Sequence, residues 1–213
     1  MYECFRILVP KGIIRVVVPD LEQIVRCYLH KLESVPKHNE LTSDYDWILV
    51  ELFDQMVREQ SGGEMKKLLT AEQIPNQEFI LERIGVEAQH IIDSRENKRL
   101  LNSYSWQQII GKTFEKLKAW GYGKELLIWL LLNKQDYTAL KIGRFRQSGE
   151  VHQWMYDRYS LKRLLEECGF IEVKQCAAHE SRIPNWTSFN LDTEPDGAIY
   201  KPDSLYMEAI KPN

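Results

Sequence analysis

The first strong hydrophobic pattern along the chain is a β-branched run near the amino terminus. Residues 13–18 read IIRVVV, and Arg15 is their only polar member. A nearly continuous apolar run of this length is typical of a strand covered on both faces, as in the parallel sheets of α/β proteins. The residues before the run predict the end of a helix over residues 2–8 and a turn over residues 10–12. We therefore expect a short helix, a turn and a buried first strand.

A helix is expected directly after this strand. Asp20 is placed to cap the helix, and Gln23, three residues later, is placed to complete a capping box. Apolar residues after Asp20 recur at helical spacing. They are Leu21, Ile24, Val25, Tyr28, Leu29 and Leu32. The pattern predicts a strand-helix unit over residues 1–35.

The middle of the chain is predicted to be helical. One helix is marked by Leu49, Val50, Phe53, Met56 and Val57. It should end at the sequence Ser-Gly-Gly of residues 61–63, because glycine readily adopts the left-handed conformation of a helix C-cap. Shorter helices are expected around residues 65–69 and 77–92, and residues 103–134 carry a further apolar pattern with a break at Gly-Tyr-Gly of residues 121–123. We treat residues 36–150 as a large helical insertion.

The last third of the chain, residues 151–213, predicts one helix and two strands. Ser160 is placed to cap a helix that ends at Gly169. The inward residues of this helix are Leu161, Leu164, Leu165 and Cys168. The segments FIEVKQCAA and SLYMEAIKP then show the alternation of strands, separated by a long polar loop. An antiparallel strand pair should complete a sheet begun elsewhere.

Composition narrows the class of protein. A chain of 213 residues, 44% of them hydrophobic, is long enough for one sizeable domain over residues 1–213. The net charge of −3 argues against nucleic acid as a partner. The four cysteines have no metal-site or disulfide-framework spacing, and no group of histidines has ligand spacing, so no metal site is predicted and a reducing cytoplasm fits best. The longest apolar run, residues 126–132, is far shorter than the roughly 20 residues that span a bilayer.

Several stretches resemble one protein family. FRILVPKGIIRVVVPDLEQIV is similar to the fifth-strand region of class I S-adenosylmethionine-dependent methyltransferases, with Val9 and Lys11 in place of the usual lysine and first glycine of the turn. HQWMYDRYSLKRLLEECGF and KPDSLYMEAIKP resemble the closing segment of a type 11-like group of predicted methyltransferases. LFDQMVREQSGGEM and FILERIGVEAQ resemble the helical insertion of that group. The resemblance covers nearly the whole chain but only the second half of the family's domain.

The resemblance implies a partial Rossmann-like α/β fold. About three mixed strands are expected, in the spatial order first, last, middle, with the large helical insertion after the first strand. The family's cofactor-binding glycine loop, ribose-binding carboxylate and fourth-strand contacts would all lie upstream of Met1. We therefore expect no residue of this chain to bind the cofactor S-adenosylmethionine, and binding by the chain alone to be weak or absent. The implied function is methyl transfer to an acceptor when an amino-terminal half completes the fold.

Five residues are candidates for an acceptor site. Asp20 lies at the carboxyl end of the first strand, where open α/β sheets bind ligands, and His152 and Asp157 are titratable groups in the segment EVHQWMYD. Any of the three is a candidate catalytic base. Asp20 has an alternative role as a helix cap, and His152 as a packed, hydrogen-bonded structural residue. Trp154 and Tyr156 are candidates for the wall of a substrate pocket, or alternatively for the core.

Two further surfaces suggest partners. The strand from Ile13 to Val18 would lack one neighbour, and an open β-branched edge favours pairing with a complementary half or with a second copy of the chain. This gives the alternative function of a non-catalytic remnant or partner-binding module. Residues 103–134 mix tryptophan and lysine, as interfacial membrane helices do. A pair of core helices with lysines on the wet face explains that pattern better, so contact with a membrane surface is not expected.

Overall fold

The computed structural model describes residues 1–37, 41–101, 128 and 130–213, and gives only the backbone of residues 95–101. These residues form eight α-helices and three strands. In chain order the elements are α1 Tyr2–Ile7, β1 Ile13–Pro19, α2 Leu21–Ser34, α3 Thr42–Val57, α4 Gly63–Leu69, α5 Gln77–Ile84, α6 Val86–Leu101, α7 Lys134–Arg146, α8 Arg158–Glu167, β2 Ile171–Cys176, a 3₁₀ turn Trp186–Phe189 and β3 Ser204–Ile210. The segment with the Gly-Tyr-Gly break, and most of the tryptophan- and lysine-rich stretch, lie outside the described residues.

The three strands form one sheet in the order β1-β3-β2. The predicted order of first, last, middle strand is confirmed, and so is the α/β class. The expectation of mixed strands is wrong, because β3 is antiparallel to both of its neighbours. β1 pairs with β3 from Ile13 opposite Ile210 to Pro19 opposite Ser204. The pairing of β2 with β3 is interrupted by a bulge between Ile171 and Lys174.

The buried strand of the sheet is β3 and not β1. β3 is buried from Ser204 through Ala209, whereas β1 is half-buried and Val17 is 39% exposed. The prediction that β1 is covered on both faces is therefore wrong. β3 is more buried than β1 because of its place in the sheet. It has a strand on each side, while β1 pairs with a single strand in the described part of the chain.

Two apolar clusters form the core. One lies among the helices and contains Trp47, Ile48, Leu69, Ile80, Ile84, Ala88 and Ile92. The other packs α8 against the sheet and contains Leu161, Leu165, Cys168, Phe170, Leu205, Met207 and Ala209. α1 adds to the second cluster through Phe5, whose ring meets that of Phe170 edge-on at 5.0 Å. The predicted inward face of α8 is thus confirmed.

The buried face of α3 differs from the face that marks the helix in the sequence. Phe53 and Val57 are 55% and 56% exposed. The buried residues are instead Asp44, Trp47, Ile48, Glu51 and Asp54. Three acidic side chains can be buried here because each has a cationic partner, as Asp44 has in Lys31 at 2.7 Å. Helical periodicity identified the helix but not its inner face.

Two helix ends also differ from expectation. Gly62 and Gly63 do not end α3, which finishes at Val57; Gly62, with φ +78°, is the N-cap of α4. Ser160 is not the cap of α8 but its third residue, and Asp157 is the N-cap in a capping box with Ser160.

The predicted helix over residues 77–92 is divided at Gly85, which has φ +70°. Gly85 lies so close to Pro202 that a Cβ on residue 85 would approach the Pro202 Cδ to 2.4 Å.

No helix in the described ranges is both long enough and apolar enough to cross a membrane.

Candidate functional site

A cleft of about 350 Å³ lies at the carboxyl end of β1. It is lined by Val17, Val18 and Pro19 from the strand, and by Gly149 and residues 151–156 from the segment that leads into α8. Two backbone hydrogen bonds fix that segment. The Leu21 N–H donates to the Tyr156 carbonyl at 3.0 Å, and the His152 N–H donates to the Gln55 carbonyl of α3 at 2.9 Å. The structure thus brings His152, Trp154 and Tyr156 to one place, beside the strand that sequence analysis singled out.

His152 is a half-buried side chain whose pKa lies below its usual range. Burial is the main cause, and the positive charges of Arg58 and Lys201 act in the same direction. The imidazole is therefore neutral at neutral pH, which is the form that accepts a proton. This is the protonation state that a base in an acceptor site requires.

Trp154 and Tyr156 have different environments. Trp154 is 64% exposed and lines the cleft, so the alternative of a core residue is wrong for it. Tyr156 also lines the cleft, but its side chain packs against the apolar cluster of the sheet. Trp154 is the aromatic surface that a ligand in the cleft would meet.

Asp20 is the N-cap of α2. Its Oδ1 accepts hydrogen bonds from the N–H groups of Glu22 at 3.0 Å and Gln23 at 3.3 Å, so the capping role is confirmed. Gln23 does not reciprocate; its side chain accepts from Arg83 at 2.6 Å and donates to the Pro202 carbonyl at 3.4 Å. Burial raises the pKa of Asp20, against the opposing effect of its two backbone hydrogen bonds.

Asp157 lies apart from the cleft. Its carboxylate caps α8 by accepting from Tyr159 N–H at 2.9 Å and Ser160 N–H at 2.7 Å. The backbone hydrogen bond from Ser160 is the largest cause of its lowered pKa. A lower pKa makes a carboxylate a weaker base, and Asp157 lines a neighbouring groove with Leu21 and Tyr159. Of the three candidate bases, His152 has the best placement and charge state.

Sequence reasoning missed the most elaborate polar centre of the molecule, which surrounds Arg15. This side chain is 3% exposed and bonds Asp192 at 2.6 Å and Glu208 at 2.8 Å. It also donates to Cys176 Sγ and to the carbonyls of Ala177, Ala178 and Glu180. The only sequence signal was a single arginine within a β-branched run. Arg15 ties the loop after β2 to the sheet and does not line the cleft.

A second buried polar centre was also missed. Glu51 is completely buried and forms an ion pair with Arg83 of α5. The Trp47 indole N–H donates to the same carboxylate at 3.1 Å. Asp203, just before β3, is 2% exposed, and its Oδ1 has no hydrogen-bond partner among the described residues. These groups lie where the helices meet the start of β3.

A larger cavity of about 830 Å³ lies between the α3-α4 turn and α7. Its lining includes none of the predicted site residues. Its charged lining is balanced, with Arg58, Lys67 and Lys141 against Asp54, Glu59 and Glu64. Arg58 is already bound to Asp54 at 2.7 Å. The cleft beside β1 remains the better candidate site, because a predicted base and an exposed aromatic ring converge there.

The described residues contain no group of three or more histidine, cysteine, aspartate or glutamate side chains arranged to hold a metal ion. The chain matches no protein-family model, no curated protein and no solved structure.

Proposed function

We propose that this chain is the acceptor-binding half of an S-adenosylmethionine-dependent methyltransferase, completed by an amino-terminal, cofactor-binding half that pairs at the open edge of β1. The observation that carries the proposal is the sheet order β1-β3-β2 with β1 outermost. The sequence resemblance implies this order for the fifth, seventh and sixth strands of the family.

The chemistry of the cleft supports the same proposal. Methyl transfer from a sulfonium depends mainly on holding the acceptor in line with the methyl group, which requires a shaped site more than acid-base groups. Hydroxyl acceptors additionally need a base. The cleft offers a neutral imidazole at His152 and an exposed ring at Trp154. It lies at the carboxyl end of a strand, where α/β proteins bind ligands.

The backbone of β1 is suited to accept another strand. Asp20 N–H donates to the Asp203 carbonyl, and Lys211 N–H donates to the Gly12 carbonyl. The backbone N–H and C=O groups of the even-numbered residues of β1 therefore point toward β3. The N–H groups of Ile13, Arg15 and Val17 consequently point to the outer edge. Pro19, which has no N–H, also falls on that outer side. An edge that pairs with no strand in the described part of the chain favours strand addition.

Titration calorimetry of the purified chain with S-adenosylmethionine tests the proposal. We expect no saturable binding, with a Kd above about 1 mM, because the described residues provide no glycine loop for the cofactor. A cooperative thermal melt of the same sample is the control for folding. Binding at micromolar Kd to the chain alone would contradict the assignment as an acceptor half.

The open edge also favours a second function, that of a non-catalytic module that binds partners through β1. Val17→Pro should abolish association through the edge while preserving the β1-β3 ladder, because the Val17 N–H faces outward. Sedimentation over a range of concentrations would measure self-association, and thermal melting would measure stability. Val16→Pro is the matched control; it removes an inward donor and should lower the melting temperature strongly. Unchanged association in Val17→Pro would exclude the edge as the contact.

A further inference from the structure

Residues 200–203, here called the strap, join the helical insertion to the sheet. Glu87 N–H of α6 donates to the Tyr200 carbonyl at 3.3 Å, and Lys201 Nζ lies 2.7 Å from the Glu87 carboxylate. Gly85 packs against Pro202. On the sheet side, Asp20 N–H donates to the Asp203 carbonyl at 3.0 Å. The strap therefore contacts both the turn between α5 and α6 and the end of β1 that forms the cleft.

The side chain of Asp203 is buried in this junction without a counter-ion of its own among the described residues. The residue is 2% exposed, and its Oδ1 accepts no hydrogen bond from them. The charged and titratable groups that face it are Lys201 of the strap, Glu51 of α3, Arg83 of α5, Glu87 of α6 and Tyr206 of β3. Arg83 is held by Glu51, and Lys201 by Glu87. Both nearby cations are thus already neutralised by other carboxylates.

We propose that Asp203 is a proton-operated latch, which holds the strap between the helices and the sheet when its carboxyl is neutral and loosens the strap when the carboxyl ionises. An ionised carboxylate without a partner gains hydration by leaving the junction, whereas a neutral carboxyl loses little by staying. Because the strap carries the backbone contact to Asp20, its opening changes the cleft at the end of β1.

The direction of the pH dependence follows from linkage. Burial raises the pKa of Asp203 from 3.8 to about 7 in the closed form, whereas in an open, hydrated form the pKa returns to its ordinary value. The closed form therefore holds its proton to higher pH, and opening becomes more favourable as the pH rises from about 4 to about 7. With these two pKa values, the opening equilibrium constant increases about tenfold between about pH 6 and about pH 8.

Amide hydrogen exchange of the full chain tests the latch. The reporters are the N–H groups of Glu87 and Asp20, which donate to carbonyls of the strap. Their protection factors, each calculated against the unfolded chain at the same pH, should fall about tenfold from about pH 6 to about pH 8. In Asp203→Asn, which keeps the shape but cannot ionise, protection should change by less than about twofold. The exposed loop variant Asp196→Asn should behave as the wild type.

Two results would overturn the latch. The first is equal protection at the two pH values in the wild type, and the second is the same fall in Asp203→Asn. A direct NMR titration of the Asp203 carboxyl carbon in the wild-type chain tests the latch even if Asp203→Asn does not fold. A midpoint near 7, at the pH where the loss of protection at Glu87 levels off, supports the latch, and a midpoint near the ordinary value of 3.8 overturns it.

Discussion

Replacing Arg15 by methionine should lower the free energy of unfolding by about 3–5 kcal/mol, the cost of leaving buried charges without their partner. Asp192 and Glu208 have side chains that are 9% and 2% exposed, and both would lose the Arg15 guanidinium. Methionine fills much of the same volume, so a missing charge and its hydrogen bonds, rather than a cavity, would cause the loss. Urea denaturation followed by circular dichroism measures the effect.

Of the two carboxylates that lose Arg15 in Arg15→Met, Glu208 should be destabilised less than Asp192. Burial by itself would raise the pKa of Glu208, but hydrogen bonds from Ser181, the Arg182 N–H and Arg15 together lower it. Two of these three donors remain when Arg15 is replaced. Among the described residues, Arg15 is the one ion-pair partner of Asp192. Adding Asp192→Asn to Arg15→Met should therefore restore part of the lost free energy.

Arg163→Met is the matched control for Arg15. Arg163 is 62% exposed and lies 3.7 Å from Glu167, so its loss should change the free energy of unfolding by less than about 1 kcal/mol. If the Arg15 variant were as stable as this control, the buried centre would contribute nothing to the attachment of the loop.

Replacing Arg83 by methionine should also lower the free energy of unfolding by about 3–5 kcal/mol, because it leaves a buried charge among the helices without its partner. Glu51 is completely buried, and Arg83 is its only ion-pair partner in the described residues. The substitution also removes the hydrogen bond that Arg83 donates to Gln23, which links α5 to α2. Urea denaturation of the wild type, Arg83→Met, Glu51→Gln and the double variant gives the coupling energy between the two residues.

The double variant distinguishes the two possible origins of the cost at Arg83. If the loss comes from an unpaired carboxylate, the neutral side chain introduced by Glu51→Gln should restore part of the free energy of unfolding. If it comes from a simple packing defect, the double variant should be no more stable than Arg83→Met. Arg26→Met provides the control, because Arg26 is 74% exposed and pairs with Glu22 on the same helix. A change above about 1 kcal/mol in that control would show that removal of any arginine destabilises the chain.

Local sequence patterns predicted much of the fold. The first strand follows from a β-branched run and the other two from period-two alternation, and the structure contains all three. The helix cap at Asp20 follows from cap chemistry and the inward face of α8 from helical spacing, and both are present. The order of the three strands came from the family resemblance and is also present. At the site, sequence analysis named His152, Trp154 and Tyr156, and the structure places them around one cleft. Whether that cleft binds a methyl acceptor stays a prediction.

Other features depended on contacts between distant parts of the chain. α3 carries two candidate faces, and its acid-bearing face is buried because Lys31, Arg58 and Arg83 lie where they can neutralise it. The choice between these two faces is not visible in residue spacing along one segment.

The sequence by itself determined most of the segments that become helices and strands, because those preferences arise from neighbours within a few residues. Only the tertiary structure decided which polar groups are buried. Arg15 and Glu208 meet across 193 positions of sequence, and Glu51, Arg83 and Glu87 lie near Asp203 only because distant helices pack beside it. Burial and pairing of charge depend on three-dimensional proximity, and a linear pattern of hydrophobic and polar residues contains no record of that proximity.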